Sequence, residues 1–432
     1  MKYALINPCW TFHGSIYFGC REPHLPLEYG YAKVLLERGG HEVMIVDGQL
    51  ENLVPGEIER RVHAFNPDFT VMTTAPSYLF WRCPPPELRV PQELAFRLRS
   101  SGGILVAVGP HGSVTPRAVM SKLGADVVVL GECEEILPRL ATLSRASRDE
   151  WEKIPSICYS DGGEMRIQGG PCASDMSALP AIRWPAEMIG RHHHHHHRFD
   201  SRPFGPGAEM ETSRGCPFSC SFCARNYFRG KYRKRPMPVI LEELDGIIGQ
   251  RTGYVYFIDE IFLPDRELVE AIMERGIKFG IQTRIDLWDP PMFELLGRAG
   301  CVSIEAGVES ISEEGRRRLN KKCALSPDEL VDRLIRARER VPFVQATLLD
   351  AQTDAPDTIA EWRTRLHRFG VWTNKPVPVF PYPGSEDYER KWGIPDDGAW
   401  ERAHEYYLRN YHLFSDIQDG HPLPLKKLEL GV

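Results

Sequence analysis

Glu211-Thr-Ser-Arg-Gly-Cys-Pro-Phe-Ser-Cys-Ser-Phe-Cys-Ala-Arg225 sets Cys216, Cys220 and Cys223 in a Cys-x-x-x-Cys-x-x-Cys pattern, with Phe222 directly before the third. Three thiolates so close along the chain can wrap one face of a cubic iron–sulfur cluster, ligating three irons and leaving the fourth open for chemistry. A structural zinc site would want a fourth ligand, and zinc ribbons are built from two short Cys pairs far apart. A disulfide framework suits small secreted chains, whereas this chain has 432 residues. The cluster is the reading carried outward from here.

From Glu209 onward, strands alternate with helices. The pattern predicts strands at 209–214, 254–259, 279–284, 301–306, 343–349 and 371–379, with helices near 238–249, 265–275, 291–299, 326–340 and 355–369. Six strands separated by helices imply a partial parallel (β/α)6 barrel, whose active site gathers at the carboxyl ends of the strands. The first strand runs into the cysteine loop. The second ends in Asp259-Glu260, the third in Gln282-Thr-Arg284, the fourth carries Glu305, Gly307 and Glu309, and the fifth Gln345. Carboxylates at such a rim can hold an ammonium and Arg284 a carboxylate, by charge-assisted hydrogen bonds, and Gly307 permits close backbone approach.

The cysteine spacing, the aromatic and the preceding Arg-Gly resemble the radical S-adenosylmethionine (SAM) superfamily. That resemblance implies a [4Fe-4S] cluster on Cys216, Cys220 and Cys223 whose open iron is chelated by SAM, which is then cleaved to a 5′-deoxyadenosyl radical. Ile258-Asp259-Glu260 stands where many members have Gly-Gly-Glu, leaving open which carboxylate meets the amino group of SAM. Glu305-Ala-Gly-Val-Glu-Ser310 matches the fourth-strand glycine/glutamate motif.

Residues 1–150 show a second alternation. Strands Tyr3 to Asn7, Glu42 to Asp47, Phe69 to Thr74, Ile104 to Gly109 and Asp126 to Gly131 are interleaved with helices near 27–39, 56–65, 88–101, 115–123 and 133–145. This α/β pattern predicts a doubly wound parallel sheet that binds ligands beyond the carboxyl ends of its strands. Loops there include Cys9 to Pro26, Thr73 to Ser77, Gly109 to Gly112 and Gly131 to Glu135. No G-x-G-x-x-G follows the first strand, which counts against a dinucleotide.

The wording from Leu25 to Val43, the Gly109-Pro110-His111 after the fourth strand and the Gly131-Glu-Cys-Glu-Glu135 after the fifth resemble the flavodoxin-like cobalamin-binding domain found before many radical SAM barrels. The resemblance implies a corrinoid lined by Thr74, Ser77, Gly109, Gly131 and Glu132, with His111 either lining the same pocket or capping a strand end. It lacks the Asp-x-His-x-x-Gly string through which other cobalamin proteins ligate cobalt, so no histidine ligand of that kind is expected.

The expected divisions are a cobalamin domain at 1–150, a linker at 151–207 with a hairpin at Ile157 to Ile167, the barrel at 208–385 and a helical extension at 386–432. The six histidines His192 to His197 read as a surface loop, with soft-metal binding the alternative. Arg225 to Arg235, basic and aromatic, reads as a docking face for an acidic electron donor such as flavodoxin or ferredoxin, with an anionic substrate or a solvated loop as alternatives. The aromatic helix Trp400 to Phe414 is expected to pack over the barrel.

A net charge of −6 gives no global argument for nucleic acid or an anionic membrane as a partner. No apolar run approaches the ~18 residues of a membrane span, and eleven scattered cysteines suit a reducing compartment, so a cytoplasmic protein is expected. The two resemblances imply a cobalamin-dependent radical SAM methyltransferase acting on a poorly activated carbon of a small molecule. Radical ring contraction or oxidative cyclisation is the alternative, and a cobalamin sensor the non-enzymatic one.

Overall fold

The computed structural model describes residues 1–10, 23–77, 84–100, 103–144, 149–192, 205–224, 227–410 and 413. Its first half is built from β1 (Lys2–Asn7), α1 (Leu27–Arg38), β2 (Glu42–Asp47), α2 (Gly48–Glu51), α3 (Pro55–Phe65), β3 (Phe69–Thr73), α4 (Arg89–Leu98), β4 (Ile104–Val108), α5 (Pro110–Val114), α6 (Pro116–Leu123), β5 (Val127–Val129) and α7 (Ile136–Arg139). The strand order 2-1-3-4-5, all parallel, reverses between β1 and β3, which opens a ligand crevice beyond the carboxyl ends. β3, β4 and β5 are buried along their whole lengths, as apolar strands covered on both faces should be.

Two details differ from the sequence reading. The helix expected over 133–145 is the short α7 followed by a 3-10 turn at Leu140–Thr142, with Pro138 inside α7 contributing no N–H. The hairpin expected in the linker, β6 (Ile157–Asp161) and β7 (Glu164–Gln168), pairs antiparallel onto β5 through Val127–Tyr159 and Val129–Ile157, so the first sheet runs past residue 150.

After α8 (Ala186–Arg191) come β8 (Gly207–Met210), the small pair β9 (Ser213–Arg214) and β10 (Arg233–Lys234), then α9 (Met237–Ile248), β11 (Tyr254–Phe257), α10 (Arg266–Arg275), β12 (Lys278–Thr283), α11 (Pro290–Ala299), β13 (Cys301–Glu309), α12 (Glu313–Arg318), α13 (Pro327–Arg340), β14 (Phe343–Asp350), α14 (Pro356–Arg368), β15 (Trp372–Thr373) and β16 (Val377–Pro378). The second sheet runs β8-β11-β12-β13-β14-β15, all parallel, with β16 also on β14. Helix starts are written locally: Asp265 caps α10, Asp289 caps α11, and Ser326 with Glu329 forms a capping box on α13. Each cap contributes about 1 kcal/mol.

Alternation along the strands sorts this sheet into two faces. Phe257, Ile281, Ile304 and Val344 are wholly buried in the apolar core with Leu268, Phe293 and Leu334 of the helices. Tyr256, Gln282, Glu305 and Gln345 fall on the other face, and register sets Gln282, Glu305 and Gln345 side by side. Leu27 and Tyr31 of α1 belong to this same core, so the two halves share a seam.

α15 (Glu386–Trp392) and α16 (Ala399–Arg409) close the described chain. Trp400 sits 4.2 Å, centroid to centroid, from His111, and Glu401 pairs with Lys122. The extension joins an aromatic cluster with Phe380 and Trp392 and packs on the first domain as well, a contact that sequence reading does not anticipate. Tyr411 and Phe414 of the expected helix lie outside the described residues.

Candidate active site

β8 and β9 deliver the chain into the cysteine loop, and Cys216, Cys220 and Cys223 are all half-buried there. The loop is tied down from both sides. Ser221 N–H donates to the Leu319 carbonyl at 3.0 Å, Asn320 Nδ2 donates to the Ser219 carbonyl at 2.6 Å, and the Arg284 guanidinium lies 3.9 Å from the centre of the Phe218 ring. Burial raises the Cys220 thiol, with Lys321 and Arg284 pulling it down and Glu309 and Cys216 pushing it up. The strand-end residues Arg284 and Glu309 thus act electrostatically on the middle cysteine, and Arg284 packs on Phe218 of its loop.

Both are held yet incompletely satisfied. Arg284 donates to Asp286 at 2.8 Å and to the Lys322 carbonyl at 3.0 Å, while Glu309 accepts from Lys321 at 2.9 Å. Glu309 has φ +63°, an unfavourable conformation for a residue with a Cβ, at a shift in register between β13 and β14. A Cβ on Gly307 would meet the Glu309 carboxylate at 2.8 Å, so any larger residue there would push that carboxylate from its place beside Lys321. Arg284 Nη1, Glu309 Oε2, Gln282 Oε1 and Ser303 Oγ are buried with no hydrogen-bond partner among the described residues. Buried polar atoms left without partners are costly, and those of Arg284, Glu309 and Gln282 lie toward the carboxyl ends of their strands, whereas Ser303 lies near the start of β13.

The structure separates the two carboxylates that the sequence left undivided. Asp259 accepts from Thr212 N–H at 3.1 Å, from Thr212 Oγ1 at 2.8 Å and from Ser213 Oγ, all in the strand leading to the cysteines. Burial raises its pKa to about 6 against those bonds. Glu260 accepts only Gly215 N–H, at 2.9 Å; its Oε1 is 3.5 Å from Arg229 and lacks a hydrogen-bond partner among the described residues. Burial lifts it to about 7, Arg229 opposing. Of the remaining candidates, Glu305 and Gln345 sit opposite each other in register, Gln345 also donating to Thr347 at 3.3 Å.

On the first domain, the sequence candidates are engaged inside the protein. Thr74 and His111 bond each other at 3.2 Å, and the other His111 nitrogen meets the Pro85 carbonyl at 2.8 Å. With both nitrogens occupied, His111 has none for a metal. Ser77 donates to Glu28 at 2.6 Å. Gly109 precedes α5. Gly131 has φ +78°, and a Cβ there would lie 2.3 Å from the Cys172 carbonyl, so its glycine serves the crossing chain. Glu132 is held by Arg233 at 2.5 Å and Arg214 at 3.1 Å, which lower its carboxyl to about 2 although burial opposes them. Glu28, raised by burial to about 7, and Glu134 keep one buried oxygen each without a partner among the described residues, on a cavity also lined by Gly109, Gly131 and Arg229. Amide groups such as those fringing a corrinoid can satisfy such oxygens.

Part of the basic stretch is turned inward, while Lys231 and Lys234 stay exposed. Arg229 and Arg235 are buried and Arg233 turns to Glu132, because acids of the seam claim them; Arg225 lies outside the described residues. His192, expected on the surface, is buried, bonding the Gly207 carbonyl at 2.6 Å and lying 3.1 Å from Glu209; His193 to His197 lie outside the described residues. No group of three His, Cys, Asp or Glu among the described residues is set to hold a single metal ion. A cubane does not ask for one, since its thiolates bind different irons.

Sequence reading missed Glu28, Glu211, Lys321 and Ser303. Glu28 carries a signal, a lone acid in the otherwise apolar start of α1; Lys321 carries none, because only the return of the chain after α12 brings it to the cysteines.

Residues 210–362 match the family described as the Radical SAM superfamily. Over 97% of its length the chain is 25% identical to the hopanoid C-3 methylase of Methylococcus capsulatus, covering 75% of that protein. Over 88% it is 23% identical to the anaerobic magnesium-protoporphyrin IX monomethyl ester cyclase of Cereibacter sphaeroides, covering 63% of it. The structure of the radical SAM methyltransferase TsrM from Kitasatospora setae, with cobalamin and a [4Fe-4S] cluster bound, superposes with a TM-score of 0.69 at 19% identity, over 89% of this chain and 76% of that one. That likeness shows the fold, a doubly wound domain followed by a radical SAM barrel.

Proposed function

From a chain that carries a radical SAM domain behind a doubly wound domain of the cobalamin-binding type, we propose a cobalamin-dependent methyltransferase acting on a poorly activated carbon of a small molecule. The observation that carries the reading is the meeting of a half-buried cysteine triplet with unsatisfied polar atoms of Arg284, Glu309 and Gln282 at one rim. When bound, the cluster supplies an electron to SAM and cobalamin serves as the methyl carrier.

Cys216, Cys220 and Cys223 hold the cluster. Arg284 would receive the carboxylate of SAM through Nη1, and Glu260 its ammonium through Oε1, which has no hydrogen bond among the described residues but pairs with Arg229 at 3.5 Å. Asp259 braces the strand that carries the loop. Gln282, Glu305 and Gln345 line the floor. The domain joined at the seam presents Glu28 and Glu134 to the corrinoid, while Thr74, Ser77, His111, Gly131 and Glu132 shape the frame around it. A low-potential donor of the flavodoxin or ferredoxin kind supplies electrons in a reducing cytoplasm; no helix among the described residues is long and apolar enough to cross a membrane.

Anoxic incubation of the reconstituted chain with SAM, reductant, methylcobalamin and candidate substrates, followed by mass spectrometry, tests the assignment. A methyltransferase yields S-adenosylhomocysteine together with 5′-deoxyadenosine and a product heavier by one methylene. Likeness to the cyclase supports the second reading, which 5′-deoxyadenosine without S-adenosylhomocysteine would establish instead.

A further inference from the structure

Arg214 stands two residues before Cys216, and its guanidinium is wholly buried. Its Nε donates to Glu211 at 2.7 Å, Nη1 to Glu132 at 3.1 Å, and Nη2 to Glu134 at 2.6 Å and Glu211 at 2.5 Å, while the cation lies 5.2 Å from the Tyr31 ring centre. The donors therefore divide between a residue of its own strand end and the loop that ends β5, where the carboxylates of Glu132 and Glu134, one and three residues after Gly131, line the crevice. On the other side, Gly215 N–H reaches Glu260 at 2.9 Å. One planar fork spans the seam and touches both cofactor margins. Lysine cannot replace it, since a point-like ammonium lacks the geometry to serve three carboxylates at once.

We propose that Arg214 is a positioning residue that fixes the 131–134 loop against the cysteine loop, so that the corrinoid site is fully formed only when this fork is in place. The inference rests on the function proposed above. Neither loop needs Arg214 for its own hydrogen bonds: Glu132 keeps Arg233, and the cysteine loop keeps its ties to Leu319 and Asn320. What Arg214 alone adds is the connection of Glu134 to the strand of the cysteines.

The full-length chain, reconstituted with iron and sulfide, is titrated with hydroxocobalamin by visible absorption, and its iron is counted. Arg214→Lys is expected to keep about four irons but to weaken hydroxocobalamin roughly tenfold or more, as loss of orienting partners does at other cofactor sites. Arg235→Lys serves as the control, because Arg235 is equally buried, pairs with Glu243 at 2.7 Å and faces the same Tyr31 ring, yet contacts no carboxylate of the 131–135 loop. It should bind as the wild type does. Equal weakening by both substitutions, or none by Arg214→Lys, overturns the proposal. If Arg214→Lys does not fold, Glu134→Gln, which removes one acceptor charge and keeps the shape, should weaken binding several-fold, and unchanged affinity there also overturns it. Wild-type protein that takes up neither hydroxocobalamin nor iron would instead sink the function on which this rests.

Discussion

His111 makes the first domain acid-sensitive in a way that can be worked out. Its ring is wholly buried between Thr74, the Pro85 carbonyl and Trp400, and burial lowers its pKa to about 3, the carbonyl opposing and Lys122 assisting. In the unfolded chain a histidine titrates near 6.5. Between those values the unfolded chain holds a proton that the folded chain refuses, so this contribution is complete above pH ~6.5 and declines as pH falls. Each unit is worth about 1.4 kcal/mol, and pH 5 lies about 1.5 units below the unfolded value, a loss of about 2 kcal/mol from pH 7.5. Glu28 and Glu260, raised to about 7, and Asp47 and Asp259, raised to about 6, act oppositely, because the folded chain keeps protons the unfolded one has released. The quantity to measure is therefore a difference. Denaturant titrations of cofactor-free wild type and His111→Gln, followed by tryptophan fluorescence at pH 7.5 and pH 5, should show the wild type losing about 2 kcal/mol more than the variant. Parallel losses in the two chains would refute the reasoning.

Trp400→Ala removes a wholly buried ring from that same contact and should cost about 3–5 kcal/mol in thermal unfolding, while letting water reach His111 and flattening the acid-dependent difference. Asp259→Asn and Glu260→Gln should part company. The first disturbs the bonds to Thr212 and Ser213 and costs about 1–3 kcal/mol of stability; the second leaves melting nearly unchanged and raises KM for SAM roughly tenfold. The reverse pattern in calorimetry and kinetics would exchange their roles.

Much of this was legible in the sequence because periodicity and short motifs are local. Most strands of both sheets and the polar strand ends of the barrel fall where alternation puts them, but the expected strand 371–379 is only the short pieces β15 and β16, and 209–214 is split between β8 and β9. What escaped depends on contacts between distant segments. Arg229, Arg233 and Arg235 look like a surface patch until Glu211, Glu132 and Glu243 arrive from elsewhere to pair with them, burying Arg229 and Arg235. Asp259 and Glu260 are neighbours in sequence, and only the turn at Thr212 to Gly215 assigns one to bracing and leaves the other an unbonded oxygen. The hairpin of β6 and β7 was visible as a hairpin, but its partner β5 was not, since alternation does not name the strand across the ladder.

The account turns on three cysteines that leave one iron of a cluster open to SAM. Electron paramagnetic resonance of the anoxically reconstituted, dithionite-reduced chain, recorded before and after SAM is added, addresses that directly. The account predicts a reduced [4Fe-4S] signal whose g values move on addition of SAM and which Cys220→Ala abolishes together with 5′-deoxyadenosine. A signal indifferent to SAM, or a colourless Cys220→Ala chain that still forms 5′-deoxyadenosine, would contradict it.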